Sequence, residues 1–208
     1  MSESQADGAA KPKSSPLRWA LWGVALVGVA AVLYIIAQAS IKPGQAGGLK
    51  SMAKGEMAKF VIPAEAGAAP ATSFVDAEGK TVRLADFRGK TVVLNLWATW
   101  CAPCIIEMPT LAKLAAAYEG KPVEVIALSM DGPRDRDKAQ AFIARHAPLK
   151  FYQDPNLAYP YALEPKALGM PTTIVFGPDG VERGRVSGEA DWSSAEARAL
   201  IDKVAAGG

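Results

Sequence analysis

The chain has 208 residues, half of them apolar, and is almost neutral, with 23 basic against 21 acidic side chains. That is enough to bury a core, and no basic block is large enough to bind phosphates, so no nucleic-acid partner is expected. Two cysteines cannot staple a small scaffold, and two cysteines with one histidine fall short of an ordinary structural zinc site.

Residues 1–18 are polar and carry Lys11, Lys13 and Arg18 ahead of an uncharged run, Trp19 to Ile41. As a helix these 23 residues extend about 34 Å, close to a bilayer core of about 30 Å. Trp19, Trp22 and Tyr34 lie towards its ends, as interfacial aromatics do. A transmembrane signal-anchor over 19–41 is therefore expected, with residues 1–18 in the cytoplasm and the remainder outside it. A cleavable signal peptide ending at Ala37-Gln38-Ala39 stands beside it, although a cleavable apolar core is usually shorter.

Residues 42–69 are rich in Gly, Ala, Lys and Pro and read as a tether. Leu49, Met52, Met57 and Phe60 fall near helical spacing within it, which fits a short basic helix lying on the membrane or on the following domain; a solvated linker fits equally.

A domain is expected over 70–208. Asp76 to Lys80 reads as a turn between strands at Ser73–Val75 and Thr81–Leu84. Thr91 to Trp97 is a continuous apolar strand of the kind buried on both faces. Leu111, Leu114, Ala115 and Tyr118 share one face of a following helix. Val123 to Met130 is a second apolar strand, and Asp135 to His146 has helical composition. Thr172 to Phe176 and Val181 to Val186 read as strands around the turn Gly177-Pro178-Asp179-Gly180. Ser193-Ser194-Ala195-Glu196 fits the start of a last helix running to about Val204. Strands alternating with helices define an α/β class with a central sheet and helices on both faces.

Every cysteine lies in Trp97-Ala98-Thr99-Trp100-Cys101-Ala102-Pro103-Cys104. Placed after a buried strand and opening a helix, Cys101 meets the unpaired N–H groups and dipole of a helix N-terminus, which favour a thiolate. Cys104 lies one turn on, close enough to resolve a mixed disulfide formed at Cys101. Pro103 lacks an N–H and is harmless in a first turn. A passive clip across so short a loop would constrain the unfolded chain little. Trp100 is expected to shield Cys101 and to offer an apolar contact surface, or else to pack in the core. Asp131, Arg134, Asp135, Arg136 and Asp137 form a charged patch able to select partners, or a solvated helix start. His146 is read as a surface or packing residue.

Leu94 to Cys104 resembles the active-site segment of the thioredoxin superfamily. Leu84 to Lys90, Glu107-Met108-Pro109, Leu168-Gly169-Met170-Pro171-Thr172 and Gly188 to Trp192 narrow the resemblance to its TlpA-like, membrane-anchored thiol:disulfide interchange proteins, over roughly 70–205. The resemblance implies a thioredoxin fold with an inserted strand–helix between Pro122 and Tyr161. It also implies a cis Met170–Pro171 bond beside Cys101, with Met170 and Pro171 binding substrate. Cytosolic thioredoxins carry a buried Asp six residues before the first cysteine; that position is Asn95 here. Asn cannot shuttle a proton, so proton transfer at Cys104 falls to water or to Glu107, three residues along the helix; a solvated Glu107 is the alternative.

The expected activity is thiol:disulfide exchange by a domain in the periplasm, in the reducing direction. Electrons would come from a membrane thiol relay, because that compartment holds no soluble reductant. The resemblance implies protein substrates of copper-site or apocytochrome type, in cytochrome oxidase assembly or cytochrome c maturation. No metal or cofactor beyond the Cys101–Cys104 pair is expected. A disulfide-forming oxidant and a copper-binding assembly chaperone using both cysteines are the competing readings; the lack of a suitably placed histidine counts against the second.

Overall fold

The computed structural model describes residues 28–29 and 48–207. The chain separates into two units, Met1–Gly44 and Gln45–Gly208. In the first, Gly28 and Val29 are helical; the span expected over 19–41 otherwise lies outside the described residues, as does the whole of 1–18. No described helix is long and apolar enough to cross a membrane.

The second unit is built on a mixed seven-stranded sheet, the α/β architecture expected. Its strands are β1 (Phe74–Asp76), β2 (Thr81–Val82), β3 (Thr91–Trp97), β4 (Val123–Ser129), β5 (Phe151–Gln153), β6 (Thr172–Phe176) and β7 (Glu182–Ser187), in spatial order β2-β1-β5-β4-β3-β6-β7. β3, β4 and β5 run parallel, and the other pairings are antiparallel. After a short helical stretch at 48–50, its helices are α1 (Ala102–Ala117), α2 (Arg136–Ala144), α3 (Ala158–Ala162) and α4 (Ala195–Ala205).

All seven residues of β3 are buried, as its unbroken apolar run requires of a central strand. Of the face of α1 anticipated from Leu111, Leu114, Ala115 and Tyr118, all but the half-buried Ala115 are buried, and the Tyr118 hydroxyl donates to Asp202 of α4 at 2.7 Å, holding the two helices side by side. Pro109 lies inside α1 without ending it. The last helix begins one residue later than the cap motif suggests: Ser194 is the N-cap, accepting from the Ala197 N–H. Thr81–Leu84 yields only a two-residue strand, because Leu84 to Phe87 turns into a 3-10 helix that buries Leu84. Between β4 and β6 the chain inserts α2, β5 and α3.

The described part of the segment expected as a tether is folded onto the domain. Leu49, Met57 and Phe60 are buried in the core, Val61 pairs with Arg185 and Ala68 pairs with Val181. The reason is the sheet edge. β7 would otherwise present a row of unpaired N–H and C=O groups to solvent, and the apolar side chains of 49–60 have core to fill beside it.

Candidate active site

Register places the site. β3 ends at Trp97, four residues before Cys101, and Leu96 pairs with Thr172 at the start of β6. The CxxC segment and the Met170–Pro171 segment therefore meet at one end of the sheet. Met170–Pro171 is cis, Pro171 is buried, and its carbonyl accepts from the Gly188 N–H at 2.8 Å.

Cys101 is the N-cap of α1, in extended conformation (φ −91°, ψ 99°), with Pro103 in the first turn. Its carbonyl accepts from the Ile105 N–H at 3.1 Å, and its own N–H donates to Ala98 at 3.1 Å. Cys101 and Cys104 form a disulfide with Cα atoms 5.3 Å apart. Cys101 is 6% exposed and Cys104 0%, so of the two only the first residue keeps any accessible surface. Trp100 is 66% exposed, which removes the core-packing alternative. Leu168, on the loop leading to Pro171, is also an exposed apolar side chain.

Asn95 and Glu107 form one buried polar unit. The Asn95 Nδ2 donates to Glu107 Oε1 at 2.7 Å and to Thr173 Oγ1 at 2.9 Å; Glu107 Oε2 accepts from the Ala190 N–H at 3.2 Å. Glu107 is 2% exposed, so the solvated alternative fails. Burial pushes its carboxyl up to about 7, against the pull of the Ala190 and Asn95 hydrogen bonds. Sequence reasoning missed Thr173 and Ala190 as members of this unit. The only signals were that Ala190 lies within the motif Gly188 to Trp192 and that Thr173 directly follows Met170-Pro171-Thr172.

The charged patch is corrected. Asp131 is fully buried, and Arg136 is turned inward, donating to Gln153 and to the carbonyls of Asp76 and Ala77. Arg134, Asp135 and Asp137 are exposed. His146 packs on Phe142, ring centroids 4.5 Å apart, with Nδ1 against the Phe142 carbonyl. Among the described residues no cluster of His, Cys, Asp or Glu is arranged to hold a metal.

A disulfide at the N-terminus of a helix that follows a central buried strand, opposite a cis-proline loop, defines a thioredoxin-fold thiol:disulfide oxidoreductase. The chain belongs to the Redoxin family, whose model matches residues 64–201. It is 36% identical to the thiol-disulfide oxidoreductase ResA of Bacillus thuringiensis over 125 residues, covering 58% of this chain and 68% of that one. Among solved structures it resembles one provisionally assigned as thiol:disulfide interchange protein DsbE of Chlorobium tepidum (TM-score 0.56, 28% identity, 70% of this chain and 98% of that one). A DsbF homologue of Corynebacterium diphtheriae is similarly close (TM-score 0.55, 25% identity, 71% and 92%). The chain is thus a TlpA/ResA-like member of the thioredoxin superfamily, with thiol:disulfide oxidoreductase activity.

Proposed function

We propose that this protein is a periplasmic reductase of protein disulfides, held at the inner membrane by an N-terminal signal-anchor over 19–41. Its substrates would be proteins whose cysteines must be free to take up copper or haem, and a membrane thiol relay would re-reduce it. The observation that carries the reading is the asymmetry of the pair: a cysteine on a helix N-cap that keeps 6% of its surface exposed, and a second one fully buried a turn behind it.

The Cys101 thiolate attacks one sulfur of the substrate disulfide. The S–S bond breaks, and the other substrate sulfur leaves as a thiolate. Cys104 then loses its proton and attacks the Cys101 sulfur, which breaks the mixed disulfide and releases the second substrate sulfur as a thiolate. The substrate is reduced by two electrons and the Cys101–Cys104 disulfide forms. Glu107, one turn beyond Cys104 and titrating near neutrality, takes that proton; Asn95 holds the carboxylate by its amide hydrogen. Exposed Trp100 and Leu168 would supply apolar contacts, and the Met170 backbone would pair with an extended substrate segment.

In the native compartment, Cys104→Ser should accumulate a mixed disulfide with the substrate and Cys101→Ser should not. Equal trapping by both variants would reverse the assignment of the nucleophile. A reduction potential near that of the oxidant DsbA, about −120 mV, would overturn the reducing direction.

A further inference from the structure

Asp131 is a buried carboxylate that the exchange chemistry above does not use. It lies just after β4, is 0% exposed and accepts from two neighbours. The Thr99 N–H is shared between its oxygens at 3.1 and 3.0 Å, and the Thr99 hydroxyl donates to Oδ1 at 2.7 Å. The Ser129 hydroxyl donates to Oδ2 at 2.9 Å. Its backbone is fixed too: the carbonyl accepts from Gln153 Nε2 at 2.9 Å, and Gln153 Oε1 accepts from Arg136, which reaches the carbonyls of Asp76 and Ala77. A continuous set of hydrogen bonds thus runs from the β1–β2 turn to Thr99, two residues before Cys101.

We propose that Asp131 is a positioning residue for the redox pair, clamping Thr99 and through it the loop that carries Cys101. The inference rests on the thiol:disulfide reading. In the oxidised protein the S–S bond itself holds the two sulfurs. Once it is reduced, Cys101 is held on one side by the first turn of α1 and on the other by Thr99. A firm clamp keeps Cys101 near Cys104 and so favours ring closure, as preorganisation favours any intramolecular step. The Asp131 negative charge near the loop also disfavours a thiolate there. Both effects favour the disulfide over the dithiol, so removing Asp131 makes the pair more oxidising.

The test is the equilibrium in which two glutathione thiols reduce the Cys101–Cys104 disulfide and yield glutathione disulfide, followed on the full chain. Asp131→Ala should move it towards the dithiol about tenfold, equivalent to roughly 30 mV, with Asp131→Asn and Thr99→Val showing smaller shifts of the same sign. The effects of Thr99→Val and Asp131→Asn should be non-additive, since one acts through the other. Ile143→Ala, a core truncation on α2, should lower thermal stability without moving the equilibrium. If Asp131→Ala does not fold, the Asn and Val variants carry the result. Equilibria within twofold of wild type for both of these would overturn the proposal. The glutathione equilibrium is read without any protein substrate, so failure of the substrate reading in the trapping experiment remains a separate result.

Discussion

Glu107 is a carboxyl whose surroundings set both its role and its cost. It is enclosed by α1, β3 and the Ala190 segment, and two hydrogen bonds only partly replace the water it has lost. Burial raises its pKa from 4.5 to about 7. Below 4.5 the group is neutral in the folded and unfolded chain alike, and pH has no effect through it. Between 4.5 and 7 the unfolded chain releases a proton that the folded chain keeps, so stability falls as pH rises and levels off above 7. The full loss is on the order of 3 kcal/mol. Glu107→Gln removes this slope. Apart from a constant offset for altered hydrogen bonding, the variant should gain on wild type by that amount between pH 4 and pH 8 in denaturant titrations of the oxidised protein. The step in which Cys104 resolves the mixed disulfide should also lose its inflection near pH 7. A wild-type–variant difference that is flat with pH would show that the titrating group is elsewhere.

Among the elements, β7 ties together what the sequence leaves apart. Its register with β6 shifts between Val175 and Phe176, where Arg183 forms a bulge. The bulge turns Glu182 and Arg185 to the same side, although three residues of regular strand would oppose them. Arg185 then grips Glu182 in two hydrogen bonds, at 2.6 and 2.7 Å, with Glu182 2% exposed. Arg185 also donates to the Pro165 carbonyl at 2.5 Å. Arg185→Met should cost about 3–5 kcal/mol, because it strands a buried carboxylate; adding Glu182→Gln should recover much of that in a denaturation cycle. Full additivity of the two losses would contradict the pairing. None of this pairing is legible from the sequence, since it depends on a bulge. Gly184 is equally silent: a Cβ there would lie 2.4 Å from the Phe60 ring, a contact set by a partner 124 residues earlier in the chain. By contrast, β3 and β6 announce themselves through apolar runs with clear ends, and the Cys101 site follows from the strand–helix junction alone. β5 cannot be placed by pattern, because three residues are too few to show a period, although the resemblance implies an inserted strand–helix between Pro122 and Tyr161. Glu107 is legible by its spacing from Cys104, while its burial depends on the Ala190 segment packing over it.

At the scale of the whole molecule, the boundary of the folded unit lies earlier than composition suggests. A linker-like texture of Gly, Ala and Lys does not prevent 48–69 from docking: three buried apolar side chains and two backbone pairings hold it against the domain. Leu49, Met57 and Phe60 are each at most 5% exposed, and full burial of such a side chain contributes about 1.5–3 kcal/mol before ordering costs. Those contacts and the two backbone pairings oppose the entropy of ordering the segment, and deleting it should lower stability. It begins at the flank of α4, where Gly55 lies against Glu196, reaches the Glu189 carbonyl through Lys59, and then runs beside β7 from Arg185 to Val181. A fragment starting at residue 70 would lose the pairing that covers this edge and open the cavity filled by Phe60. It should melt well below a fragment starting at residue 45 and associate with rising concentration, as an uncovered edge strand does. Thermal melts and light scattering of the two fragments check both effects. Equal midpoints and equal monomer content would mean that the segment rests on the domain without contributing to it, and would return the boundary to residue 70.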